Sequence, residues 1–277
     1  MVSLRSVIKT RALAMVGADR PANGPPPPRQ DDGLFGPRSA AWRVHGDLAT
    51  MMIGGVGALL LQMLHPAALA GVWDHSDFRH DMAARLRRTA QFVGGVTYGS
   101  VERATGLIAR VRTIHDGVTG ELPDGAPYSA NDPKLLAFVH VAEGLCFLDA
   151  FRRYRDPLMS RAEQDRYFRE TAVVARMLGS DPAPETRADA VAFLEAIRPE
   201  LRVDHRTREV ARTLLSQKPD SPALAPLFGV MFDAGADLMP DWAVRMHGFH
   251  YPPARKTAIR ASALGVVGVM RWVMRDN

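Results

Sequence analysis

From Trp42 to the end of the chain, apolar positions recur every three or four residues, the period of a helix with one buried face. Long alternating Val/Ile/Thr segments, the mark of half-buried strands, are missing. The pattern predicts helices over 40–64, 66–73, 79–93, 99–118, 132–155, 160–178, 185–197, 204–216, 221–235, 238–247 and 253–274. Several carry end signals. Asn131 and Asp132 make a cap followed by the first-turn Pro133. Ser160 to Glu163 reads as a capping box, and Gly179 closes the helix that it opens. The expected fold is all-α: a single globular helical domain over 37–277. Residues 1–36 read as a separate N-terminal arm, because Pro25–Pro28 favour polyproline II and Asp31, Asp32 and Gly33 favour solvated turns.

Composition narrows this picture. A chain of 277 residues with 47% hydrophobic content buries about three quarters of its unfolded surface, so it needs no staple. One cysteine, Cys146, excludes an intramolecular disulfide and suits a reducing, cytoplasmic compartment. The net charge of +5 arises from 35 basic residues interspersed with 30 acidic ones, without a basic helical stripe, and aromatics reach only 7%. No nucleic-acid partner is therefore expected. The apolar runs Met51–Leu64 and Ala261–Met274 fall short of the roughly 20 residues a membrane span needs, and both read as buried core helices. Peripheral membrane contact stays open through the basic, amphipathic N-terminus.

Candidate chemistry centres on the helix over 132–155, apolar around most of its circumference. Leu136, His140, Gly144 and Phe147 form one stripe, with Glu143 a turn from the histidine. A glycine inside a helix costs about 1 kcal/mol against alanine, so Gly144 marks a place where something flat approaches the backbone. A haem face fits the stripe, and so does a core histidine paired with Glu143. Arg112 and His115, three apart, suit the polarising of dioxygen or an oxyanion; they equally suit cations completing a helix's last turn. His65, directly before Pro66, is either a pocket residue or a cap at a helix end. His75, Asp77, His80 and Asp81 can be drawn as a two-histidine, one-carboxylate iron site or as a helix cap. Motifs such as CxxC, HExxH, the P-loop and GxSxG do not occur in a meaningful context.

Taken in order, LLLQMLHPAALAGVWDHSDF, RLRRT, VRTIHDGVTG, YSANDPKLLAFVH, YRDPLMSRAEQDRYFRE and MPDWAVRMHGF go further. From about Trp42 to Gly248 the chain resembles the MpaB-type oxygenase family, the domain shared with the bacterial rubber oxygenase called latex clearing protein. The resemblance implies a globin-like helical core binding haem b through an axial histidine, with O2 as co-substrate and a hydrophobic substrate of the kind that includes isoprenoids. Matching Tyr128, Ala130, Asp132, Pro133, Leu135, Leu136, Val139 and His140 to the family segment carries the metal ligand onto His140; Phe138 stands where tryptophan is usual. Leu136, Gly144 and Phe147 then line the cofactor. Arg112 and His115 fall on the distal side, where rubber oxygenases use an arginine and a lysine, and His65 is the second-choice ligand. Three functions follow: a haem b-dependent oxygenase taking a small lipophilic substrate and an electron donor; a haem or lipid carrier or sensor without turnover; and a non-haem iron enzyme.

Overall fold

The computed structural model describes residues 31–218 and 224–274. The expected arm therefore lies mostly outside the described residues, as does the predicted start of the helix over 221–235. Leu34 and Phe35, ahead of the expected boundary, pack against the core, and Val101 N–H donates to the Asp32 carbonyl at 3.2 Å.

The fold is all-α. Its helices among the described residues are α1 (Ala40–His45), α2 (Leu48–Gln62), α3 (Pro66–His75), α4 (Phe78–Tyr98), α5 (Val101–Asp116), α6 (Pro133–Tyr154), α7 (Arg161–Leu178), α8 (Arg187–Ile197), α9 (His205–Leu215), α10 (Ala225–Ala236), α11 (Asp241–Met246) and α12 (Pro253–Met274). A small antiparallel hairpin, β1 (Thr119–Glu121) and β2 (Pro127–Ser129), joins α5 to α6; periodicity missed it because three-residue strands are too short to show one.

Where the helices break, the cause is local. The single helix expected over 40–64 is two, because Asp47 Oδ1 accepts the Thr50 N–H at 3.1 Å and opens a new helix after Gly46. The helix predicted over 79–93 runs on to Tyr98. Its Gly94-Gly95 pair does not stop it, since a side chain at Gly95 would strike Leu107 of α5, and the glycine lets the two helices close into a hairpin. Near its start Asp81 leaves helical geometry, and its carboxylate caps the Ala84 N–H at 2.8 Å. At α7, Ser160 caps Glu163 N–H at 3.2 Å, whereas the reciprocal half of the expected box is not formed.

The centre of the molecule is the seam between α2 and α6. A Cβ on Gly54 would lie 2.9 Å from the Cys146 carbonyl, so only glycine lets α6 come this close. α10 packs on the other side of α2 through Gly57 and Gly235 in the same way. α2 is the buried core helix its composition announces. α12 is not: Ile259, Ala263, Val267, Met270 and Val273 are buried, but Leu264, Val269 and Trp272 face outward. The periodicity supplies one inward face, and α12 packs with that face alone on α10, α2 and α6. By length and composition α12 is apolar enough to cross a membrane.

Candidate functional site

α6 begins where Asp132 Oδ1 accepts the Leu135 N–H at 2.8 Å and Pro133 occupies the first turn. Two turns inward stands His140. Among the described residues neither of its ring nitrogens has a hydrogen-bond partner, and Nε2 is sealed from solvent. Burial pushes its pKa down to about 4, so the ring is neutral at physiological pH. Glu143 does not bond to it. Its Oε1 instead accepts a 3.4 Å contact from Gln62 Nε2, which also reaches the Val139 carbonyl at 3.3 Å. Burial lifts the Glu143 carboxyl to about 7.

Beside them lies a buried network that periodicity did not single out. Thr97 Oγ1 donates to the Val93 carbonyl at 2.7 Å, so it must accept from His45 Nδ1 at 2.8 Å. That fixes the tautomer: His45 Nε2 accepts from Tyr167 O–H at 3.0 Å. Burial depresses the His45 pKa to about 4 and raises that of Tyr167. The His45 ring meets Phe147 edge-on, centroids 5.7 Å apart.

α4 and α5 form a second wall. α4 packs on α5, α9 and α1, and α5 packs on α7; no extensive backbone packing joins either of them to α2 or α6. By accessible surface His45, His140 and Glu143 are half-buried. Leu59, Phe92, Leu107 and Val139 are half-buried against the same core. On α5 the inward stripe runs Ala104, Ile108, Val111, His115. His115 is half-buried with Nδ1 enclosed; burial lowers its pKa, against the charge of Asp116 and a side-chain hydrogen bond with Asn131. Arg112 does not share this inward face. It is exposed, and its Nη1 donates to the Met177 carbonyl in the last turn of α7 at 3.2 Å, where a cation complements the helix dipole.

The remaining candidates separate. His65 caps α3: its Nδ1 accepts the Ala67 N–H at 3.2 Å, which leaves a neutral ring's proton on Nε2 and no lone pair there for a metal. Its ring packs 5.2 Å from that of Phe138. His75 Nε2 lies 3.1 Å from the Thr119 carbonyl and from Tyr128 Oη, whereas His80 pairs with Asp77 and Asp81 is spent as a cap. Among the described residues no three His, Cys, Asp or Glu side chains gather as a metal site, so the two-histidine, one-carboxylate drawing is not assembled. Gly144 does receive a flat group, but it is Phe168, whose ring edge would stand 3.0 Å from a Cβ there. Leu136 and Phe147 are buried on the same helix.

A second residue escaped the sequence reading. Arg85, on α4, is half-buried, its stem lines an apolar recess with Leu59, Met63 and Leu214, and its side chain has no hydrogen-bond or ion-pair partner among the described residues. It lay unremarked in RLRRT because a run of arginines reads as a solvated face.

The family described as "ER-bound oxygenase mpaB/B'/Rubber oxygenase, catalytic domain" matches residues 42–274. The chain belongs to this family. No curated protein and no solved structure matches it. The match reaches past Gly248, where the visible resemblance stopped, and takes in α12. An oxygenase catalytic domain has to bring dioxygen and a substrate together away from bulk water.

Proposed function

We propose that the protein is a haem b-dependent oxygenase that oxidises, or oxidatively cleaves, a hydrophobic alkene-bearing substrate in the gap between α2–α6 and α4–α5. The observation that carries this reading is His140, a deep, neutral imidazole with no hydrogen-bond partner. An enclosed polar atom without a bond costs about 1–3 kcal/mol, so such a ring is a poor core residue, whereas a free imidazole nitrogen is a good iron ligand. His140 would hold the haem from the α6 wall. When bound, haem supplies dioxygen binding and one-electron chemistry.

The chain's own residues supply the surroundings. Near neutral pH Glu143 holds a proton for part of the time, and Gln62 engages one carboxyl oxygen and orients the other. Leu59, Phe92, Leu107 and Val139 exclude water and favour a small lipophilic substrate. The clamped His45 ring keeps Phe147 in place. Electrons come from a donor outside the chain. A cytoplasmic site of action, with contact at a membrane surface, suits such a substrate.

A second assignment exchanges the two histidines. His115 also has an enclosed ring nitrogen, and it belongs to the VRTIHDGVTG segment of the resemblance. If both rings close on the iron, the protein carries or senses haem instead of turning over. The test is oxygen uptake by the haem-reconstituted protein with a reductant and an isoprenoid alkene. Oxygen consumption with carbonyl products is expected, and Glu143→Gln lowers turnover about 100-fold while haem is retained. Haem binding with no oxygen uptake for any alkene contradicts the oxygenase reading.

A further inference from the structure

His115 and Asp116 close α5, and Asn131 sits in the link from β2 to α6, one place before the cap Asp132. The link is tied down there: Ala130 N–H donates to the Val118 carbonyl at 2.9 Å, and Asn131 N–H to Ser129 Oγ at 3.2 Å. Asn131 Nδ2 donates to Asp116 Oδ1 at 2.7 Å. A carboxylate only accepts, so this bond fixes which way the amide is turned and leaves Oδ1 for another partner. Asn131 Oδ1 and His115 Nδ1 are both enclosed, the two side chains share a hydrogen bond, and neither atom has another partner among the described residues. An amide oxygen only accepts, so the proton is on Nδ1, and in the neutral ring Nε2 carries the lone pair. Nε2, unlike Nδ1, is not sealed off, and no described residue bonds to it; the half-buried ring turns that end to the open side.

Two other histidines are held the opposite way. His65 Nδ1 accepts from Ala67 N–H at 3.2 Å, and His247 Nε2 donates to the Leu60 carbonyl at 2.9 Å, so both carry the proton on Nε2. That is also the form a free neutral imidazole side chain prefers. From this geometry we infer that Asn131 is a positioning residue: backed by Asp116, it holds His115 with Nε2 bare, so that the neutral ring takes part through a lone pair and not as a hydrogen-bond donor. The polarising role that the sequence suggests for His115 needs an N–H at the open end, and the bond to Asn131 takes it away. A lone pair there accepts a proton from the substrate or a bond from the iron, and both require the same tautomer. As a statement about the reaction, this rests on the function proposed above; as a statement about the ring, it stands without haem.

The test is long-range proton–nitrogen NMR of the full chain, prepared without haem and with nitrogen-labelled histidine rings, above about pH 8, where imidazoles are neutral. His115→Gln identifies the His115 signals by their loss. His115 should show a protonated Nδ1 and a bare Nε2, and His65 and His247 the reverse. Asn131→Ala should move the His115 proton to Nε2. The paired exchange Asn131→Asp with Asp116→Asn keeps an amide against a carboxylate and an acceptor facing Nδ1, and it should restore the original pattern, which a merely structural role would not. A proton on Nε2 of His115 in the wild type overturns the inference whether or not the variants fold, and so does an unchanged pattern in Asn131→Ala. In haem-loaded protein, Asn131→Ala should lower kcat about tenfold or more at unchanged KM if the lone pair takes a proton, and shift the Soret maximum if iron takes it. Neither change overturns the claim about the reaction. Failure to bind haem removes the proposed function instead and leaves the result on the haem-free protein untouched.

Discussion

The α2–α6 seam and the α4–α5 hairpin are pairs of similar size, 15 and 22 residues against 21 and 16, yet they are built to opposite ends. In the seam, glycine is used to remove distance: Gly54 and Gly57 bring α6 and α10 so close to α2 that a methyl group would collide with a carbonyl. In the hairpin, Gly95 alone is used that way, against the Leu107 side chain, while Gly94 and Gly106 face open space and a half-buried arginine has no partner among the described residues. Dense packing fixes one wall. The other is packed less densely, as expected of a surface that moves or meets a ligand. The exception on the rigid wall is His140, whose enclosed Nε2 has no partner among the described residues, with Glu143 one turn away.

Substitutions at the seam should break this contrast most violently. A Cβ at Gly235 would lie 2.6 Å from Val56 Cβ and 2.8 Å from the Ile53 carbonyl. Gly235→Val should cost about 3 kcal/mol in urea unfolding, since backbone on the far side cannot yield. Next is Asp237, fully buried at the end of α10. It accepts from Arg153 of α6 at 2.8 Å and from Arg260 of α12 at 2.7 Å. Asp237→Ala should cost about 2 kcal/mol, the two arginines being partly solvated once released.

A pH series sharpens the comparison. Between about pH 5 and 6 the unfolded chain protonates His45 and His140 but not Glu143, while the folded protein protonates Glu143 and neither histidine. The histidines, depressed on folding, make stability rise with pH in this window; Glu143, raised on folding, opposes them. Glu143→Gln removes the opposing contribution and should steepen the rise by about 1.4 kcal/mol per pH unit, read from denaturant midpoints at several pH values. An unchanged slope places the Glu143 carboxyl in water. The smallest effect is on the loose wall: Gly106→Ala, mid-helix with nothing near its Cβ position, should stabilise by about 0.5–1 kcal/mol.

Much of this was legible in the chain. Helical period, capping residues and turn glycines placed α6, α7 and α12 to within about two residues, because each reports a local force. Breaks inside apolar runs were harder, as at Gly46-Asp47, where a cap outweighs a continuous hydrophobic pattern. The site was legible only in its parts. His140 stood out as a polar residue on an apolar helix, and His115 as the neighbour of Arg112 three residues on, a pairing the structure separates. What Gly144 accommodates could not be read, because Phe168 comes from another helix. His45 and Arg85 went unseen for the same reason: the first matters through Thr97 and Tyr167, the second through the absence of a partner, and both are facts of tertiary structure.

The central claim is that an imidazole bordering the gap holds a haem, and absorption spectra of the haem-reconstituted protein test it directly. A Soret band is expected in the wild type, lost in His140→Ala and retained with a shifted maximum in His115→Ala. A band lost in His115→Ala instead moves the ligand to the facing wall. No band in the wild type, or a band unchanged in both variants, contradicts the claim.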